Sequence, residues 1–172
     1  MTVLIVGLGN PGTKYAATRH NAGVLVLEEL LDRERARLSV HKKTNTEVAE
    51  LSGGRVLART RGYVNVSGGP VKALAGYYKA SPAEIYVIYD ELDLGFGEVS
   101  LRVGGGDHGH NGLKSVSASL GTREYNKLAV GIGRPPGRMA PADYVLRPFT
   151  KKEAEELPII AADAADLLEG LS

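Results

Sequence analysis

Val3-Leu4-Ile5-Val6 is apolar at every position, so a strand built from it must be covered on both faces. The run is far too short to cross a membrane and suits a buried parallel strand. A second run of the same kind, Ile85-Tyr86-Val87-Ile88-Tyr89, predicts a central strand. Parallel strands need crossover helices, and the intervening sequence offers them. Val24, Leu27, Leu30, Leu31 and Leu38 recur at helical spacing, with Glu28, Glu29, Arg33 and Arg35 on the other face. Pro70 suits the first turn of a helix running to about Lys79, with Leu74 and Tyr78 facing inward. A third helix is expected from Asn111, as N-cap, to Gly121. Thr150 with Glu153 forms a capping box for a fourth, and Pro158 is expected to begin the last helical stretch. Glu47–Leu51 and Arg55–Arg59 flank Gly53-Gly54 as a hairpin, while Val99–Val103 and Leu128–Ile132 read as further strands. Strands alternating with helices, plus one hairpin, imply a single three-layer α/β/α domain over residues 1–172, with a mixed, mostly parallel twisted sheet.

Composition narrows the class of chemistry. A chain of 172 residues with 43% hydrophobic content can bury one substantial core. It has no cysteine, which excludes disulfides, thiolate catalysis and cysteine-ligated metals. The N-terminal apolar stretch lacks a preceding basic region and ends at Gly7, so no signal peptide or membrane anchor is expected and a cytoplasmic enzyme is. The formal net charge of +1 hides an asymmetry. Residues 1–152 carry all 21 bases against 14 acids, a net +7, and the last twenty residues carry the remaining six acids. Basic clusters at Arg33/Arg35/Arg37, Lys42/Lys43, Arg59/Arg61 and Arg134/Arg138 could attract a polyanion, though solvated helix and loop charge explains most such runs.

The first strand runs into a loop dense with polar function: Gly7-Leu8-Gly9-Asn10-Pro11-Gly12-Thr13-Lys14-Tyr15, then Thr18-Arg19-His20-Asn21-Ala22-Gly23. His20 is the side chain there that titrates nearest neutral pH. The acidic loop Asp90-Glu91-Leu92-Asp93 follows the central strand. In open α/β sheets ligands bind outside the carboxyl ends of the strands, so both loops converge on one site. A carboxylate beside His20 would fix the imidazole tautomer and raise its basicity; Asp93 is the expected orienter and Glu91 is expected to be solvated. Asn10, Asn65 and Asn111 taken singly read as helix caps. Taken together, three neutral amides around one histidine are suited to positioning an ester or peptide carbonyl.

Three other readings fail on spacing. Gly7-Leu8-Gly9-Asn10-Pro11-Gly12 matches the dinucleotide fingerprint by letter, but Pro11-Gly12 turns the chain away before any helix opens, and Asp32 falls inside a helix. Asp107-His108-Gly109-His110 offers nitrogen and oxygen ligands without the helical spacing of a zinc motif. No Gly-x-Ser-x-Gly elbow is present.

These segments resemble the bacterial peptidyl-tRNA hydrolase family. The loop from Gly7 to Gly23 looks like its opening signature, and Asp90-Glu91-Leu92-Asp93-Leu94 and Gly104-Gly105-Gly106 with Gly109-His110-Asn111-Gly112-Leu113 resemble its two later ones, in order, across nearly the whole chain. The resemblance implies hydrolysis of the ester joining a peptide to the terminal ribose of tRNA, which returns the tRNA to translation. It implies His20 as general base, Asp93 as the group that holds it in its basic form, and Asn10 as an aid in discriminating blocked from free aminoacyl-tRNA. Tyr15, Tyr63, Asn65 and Asn111 would line the substrate channel. It implies tRNA as the partner, a monomer, and neither metal nor cofactor.

The chain departs from the family pattern at several positions. Val64 stands where methionine is usual and His108 where glycine is common. Lys127-Leu128-Ala129 replaces a strand that usually carries a second arginine at the last position. That arginine would join a basic residue, here Arg102, in clamping the 5′-phosphate, so Ala129 is expected to leave half a clamp. The chain ends at Leu171-Ser172, short of the family's usual helical extension. A non-catalytic RNA-binding relative and a hydrolase specialised for one charged tRNA are the competing readings; retention of His20 and Asp93 argues against the first.

Overall fold

A computed structural model describes residues 2–171. Seven strands form one sheet: β1 (Val3–Gly7), β2 (Ser39–His41), β3 (Thr46–Glu50), β4 (Arg55–Thr60), β5 (Ile85–Glu91), β6 (Val99–Val103) and β7 (Asn126–Gly131). Their spatial order is β2-β3-β4-β1-β5-β7-β6. The central strands β4, β1, β5 and β7 are mutually parallel, and β3 and β6 run antiparallel to their central neighbours.

The all-apolar β1 divides its residues between two cores, as its sequence requires. Val3 and Ile5 pack with helix α1 (Ala22–Glu34) and helix α5 (Lys151–Asp166), while Leu4 and Val6 pack with α2 (Gly68–Tyr78) and α3 (Asn111–Leu120). The same alternation in β5 sends Ile88 to the α1 side and Val87 and Tyr89 to the α2/α3 side. The single three-layer α/β/α arrangement with a mixed, mostly parallel sheet is therefore what the strand pattern predicts.

The site depends on one close approach. A Cβ on Gly23 would lie 2.2 Å from the Ile88 carbonyl oxygen, so only glycine lets the first turn of α1 rest against β5. Leu8 N–H donates to the same carbonyl at 3.0 Å. The turn that precedes α1 is thereby pressed onto the end of the central strand.

Several boundaries differ from the sequence reading. α1 stops at Glu34 with Arg35 in the left-handed region, so Leu38 lies beyond the helix although it fits the spacing. Strand β2 adds an edge to the expected hairpin through Ser39–His41. Pro158 does not begin a new helix; it lies inside the continuous α5, whose buried Ile160, Ala161, Ala164 and Ala165 hold the helix across it. A short helix, α4 (Pro141–Val145), had no apolar periodicity long enough to reveal it. Asn111 is the first helical residue of α3 rather than its cap; the cap is His110, whose Nδ1 accepts the Leu113 N–H at 3.2 Å.

Candidate active site

His20 sits in a single 3-10 turn, Arg19–Asn21, directly before α1. The turn is fastened from outside. Arg19 N–H donates to the Arg147 carbonyl, and Phe149 N–H donates to Ala17. The Arg19 guanidinium lies 4.0 Å over the Tyr144 ring and pairs with Glu153 at 2.9 Å. These contacts draw α4 towards His20.

Asp90 is the carboxylate that meets His20. Its Oδ2 lies 2.8 Å from His20 Nδ1, and its Oδ1 lies 2.8 Å from His110 Nε2. The proton positions follow from the network. His110 Nδ1 accepts from the Leu113 backbone, so its proton is on Nε2 and is donated to Asp90. The remaining Asp90 oxygen accepts from His20 Nδ1–H, which leaves His20 Nε2 as the free lone pair. Burial disfavours charge on Asp90, yet the imidazoles of His110 and His20 outweigh it and hold the carboxyl below the usual range. Burial likewise disfavours imidazolium at His20, but the Asp90 charge and hydrogen bond prevail and its pKa is raised.

The expected orienter, Asp93, is not beside His20. It is an exposed loop residue whose Oδ1 takes both Nε and Nη2 of Arg134, the former at 2.9 Å. Strand geometry explains the correction. Asp90 is two residues beyond Ile88 and shares its face, which is the face α1 covers; Asp93 lies past the strand end. Glu91, expected to be solvated, is buried. Its Oε1 accepts from the Tyr89 hydroxyl at 2.7 Å and lies 2.5 Å from His108 Nδ1.

A cavity of about 250 Å³ opens over these groups. Its lining combines polar His20, Asp90, Glu91, His108, His110 and Asn111 with apolar Leu92, Pro141, Ala142 and Val145. Asn111 thus shares the cavity with His20. Asn10 is buried outside the cavity lining and serves the neighbouring loops: its backbone exchanges two hydrogen bonds with the Asn21 side chain, and its Oδ1 accepts the Val64 N–H at 2.8 Å. Its Nδ2 is the donor group left over. Tyr15 and Tyr63 meet edge to face at 6.0 Å, with exposed Asn65 on the same 3-10 turn as Val64. These three form a surface adjoining the Asn10 loop and are not part of the cavity lining.

Arg102 is committed to shaping the glycine loop. Its two terminal nitrogens donate to the Gly104 and Gly106 carbonyls, each at 2.8 Å, and Nη2 also reaches the Tyr89 hydroxyl. Ala129 faces the α2/α3 core and is buried, paired in register with Tyr89 and Ser100. The cation on that strand is instead Lys127, directly opposite Arg102. Its buried Nζ donates to Gly104 and Arg123 carbonyls, and burial, then Arg102, pull its pKa down to about 8.

Two groups, His20–Asp90–His110 and Glu91–Asp93–His108, place oxygen and nitrogen atoms within 4.8 Å of one another. In the first, both His110 nitrogens are occupied, one accepting from Leu113 and one donating to Asp90, so it offers no lone pair to a shared cation. The arrangement suits proton transfer instead.

Asp90, His110 and the Glu91–His108 pair are the site residues that motif spacing missed. A period of two counted from Ile88 would have found Asp90. His110 as an imidazole cap has no simple sequence signature.

A family model described as peptidyl-tRNA hydrolase matches residues 4–172. The chain is 62% identical to a peptidyl-tRNA hydrolase of Corynebacterium efficiens, over 97% of this chain and 94% of that protein. It is 59% identical to peptidyl-tRNA hydrolase 1 of Corynebacterium glutamicum, with the same coverage of each chain. Among solved structures, peptidyl-tRNA hydrolase from Acinetobacter baumannii matches with a TM-score of 0.88 and 32% identity, covering 98% of this chain and 89% of that one.

Proposed function

This chain belongs to the peptidyl-tRNA hydrolase family, and we propose that His20 activates the water that cleaves the ester between peptide and tRNA. The observation that carries the assignment of roles is the ordered pair at His20: Nδ1–H bonded to an ionised, buried Asp90, and Nε2 free. Water lying at Nε2 gives up a proton as its oxygen attacks the ester carbonyl. Asp90 stabilises the imidazolium that forms. The tetrahedral intermediate then collapses, the ribose oxygen leaves, and the proton on Nε2 returns to it. An ester has a good enough leaving group for this route to proceed without a covalent enzyme intermediate.

Asn111 on the cavity wall and the Nδ2 of Asn10 supply neutral donors for the substrate's carbonyls. Tyr15, Tyr63 and Asn65 extend the surface along which the peptide runs. Arg102 acts through the loop it holds, and the acceptor end of tRNA lies on that flank, where Lys114 and Arg123 border a second depression. The chain acts as a cytoplasmic monomer. None of its described helices is long and apolar enough to cross a membrane.

The test compares N-acetyl-aminoacyl-tRNA with its unblocked counterpart in the wild-type and His20→Ala proteins. The wild type should cleave the blocked substrate preferentially, and His20→Ala should lower that rate by about 10²–10⁴-fold with an unchanged circular dichroism spectrum. A near wild-type rate in the variant would remove His20 from the role of base.

A further inference from the structure

His108 is held in a conformation that costs free energy. Its φ is 51°, in the left-handed region, within a loop where Gly104, Gly105 and Gly109 already take positive φ at no steric cost. A histidine kept at such a position calls for an explanation in its side chain. That side chain is fixed by the buried Glu91 carboxylate at 2.5 Å, and Glu91 is itself tied through the Tyr89 hydroxyl to Arg102. Glu91 Oε1 accepts from Tyr89 and serves as acceptor towards His108 as well, so the neutral ring carries its proton on Nδ1. The free nitrogen, Nε2, belongs to a ring that lines the same cavity as His20. Three carboxylate-bonded imidazoles line the cavity, but His110 has both nitrogens engaged, so His20 and His108 are the two that keep a free one, and hydrolysis by the route above needs only one.

The second imidazole lies next to Asp107, which lines a neighbouring depression. That depression carries Lys114 and Arg123 against the single acid Asp107, with Arg102 behind it in the glycine loop, whereas Leu92, Pro141, Ala142 and Val145 give the cavity its apolar lining. A phosphodiester chain is drawn to the first and a peptide to the second. The sugar that carries the ester then passes His108. Its unesterified vicinal hydroxyl is a hydrogen-bond donor, and a neutral Nε2 is an acceptor.

The geometry points to His108 as a specificity-determining residue that accepts a hydrogen bond from the free vicinal hydroxyl of the esterified ribose. This rests on the ester-hydrolase reading and goes beyond it by naming what the second imidazole recognises.

The experiment compares kcat/KM for N-acetyl-aminoacyl-tRNA ending in adenosine with the same 3′-ester ending in 2′-deoxyadenosine. The hydroxyl's intrinsic effect on ester reactivity is common to every protein variant and cancels when their ribo/deoxy ratios are compared. His108→Asn is the key variant. Its amide nitrogen can occupy the place of Nδ1 and keep the Glu91 contact, asparagine tolerates positive φ, and nothing replaces Nε2. The wild-type ratio should exceed that of His108→Asn by about threefold to tenfold, the worth of one neutral hydrogen bond. His108→Gly, which relieves the backbone, should show the same low ratio as His108→Asn. Equal ratios in all three proteins overturn the proposal, as does a wild-type ratio retained by His108→Asn, since Glu91 pairing alone would then explain the histidine. Failure of the wild type to cleave either substrate would instead break the ester-hydrolase reading itself.

Discussion

Asp90 and Asp93 are three residues apart and chemically identical, yet the fold gives them opposite circumstances. The Asp90 side chain is 1% exposed and receives one N–H from each of two imidazoles, while that of Asp93 is 44% exposed and paired with Arg134. A carboxylate out of water interacts strongly with whatever faces it; an exposed pair is screened and contributes little. The end of β5 therefore decides which acid can organise a catalytic base. Residues on the strand inherit its alternation and its burial, and residues past it do not.

Asp90→Asn should produce the largest effect among tests of this contrast. Asparagine offers one acceptor and one donor where Asp90 offers two acceptors. His110 is pinned by Leu113 as an Nε2–H donor and claims the acceptor. The amide N–H then faces His20 Nδ1 and forces the His20 proton onto Nε2, the tautomer with no lone pair for water. Activity on N-acetyl-aminoacyl-tRNA should fall by about 10²–10³-fold, short of the 10⁴-fold known where a triad aspartate is changed in this way. The residual activity should also carry a displaced pH profile. Asp90 raises the His20 pKa against the effect of burial, so wild-type activity is lost as pH falls through a value above that of an ordinary imidazole. Without the charge that limb moves to lower pH. A small rate loss with an unmoved limb would break the assignment.

His110→Asn should have an intermediate effect of opposite sign on pH. The amide oxygen can take the place of Nδ1 and keep the cap on α3, but the donor to Asp90 is gone. Asp90 then directs its charge to His20 alone, and the acidic limb should move to higher pH. The maximal rate should drop by roughly threefold to tenfold, the loss of one hydrogen bond to a group that orients the base. A limb that moves downward would mean that without His110 the Asp90 carboxylate no longer stays ionised against His20, so that His110 orients Asp90 rather than sharing its charge.

Much of this site was legible in the sequence, and its omissions share a cause. His20 stood out because an imidazole follows a glycine-rich strand exit, and the sheet was legible because runs such as Val3–Val6 are apolar at every position. The acidic loop was located correctly as a segment. Choosing among Asp90, Glu91 and Asp93 required knowing where β5 ends and which face α1 covers, and neither is encoded in a residue type. The Glu91–His108 pair was invisible for a related reason: seventeen residues separate its members, and β6 and the glycine loop bring them together. Pro158 misled because a local rule about proline was outweighed by the burial of the helix face that follows it. Ala129 fits an empty place in a phosphate clamp by residue type alone, whereas its face of β7 belongs to the core.

Asp93→Asn should be the mildest of these substitutions. The side chain is exposed, and what it loses is an ion pair with Arg134, itself mostly solvated. Exposed pairs of this kind contribute about 0–1 kcal/mol, so global stability should be almost unchanged. The backbone role of the segment is untouched, because it is the Asp93 N–H, not its carboxylate, that donates to Glu91 Oε2 at 3.2 Å. Activity should remain within about twofold of wild type, since loss of a screened surface pair shifts little free energy. The acidic limb of the pH profile should stay where it is. This makes the pair of asparagine variants a direct test of position against chemistry: the same substitution, three residues apart, should be nearly silent in one place and severe in the other. Should Asp93→Asn move the limb as far as Asp90→Asn, the loop would have to close on His20 when substrate binds, with Asp93 leaving Arg134 to join the base.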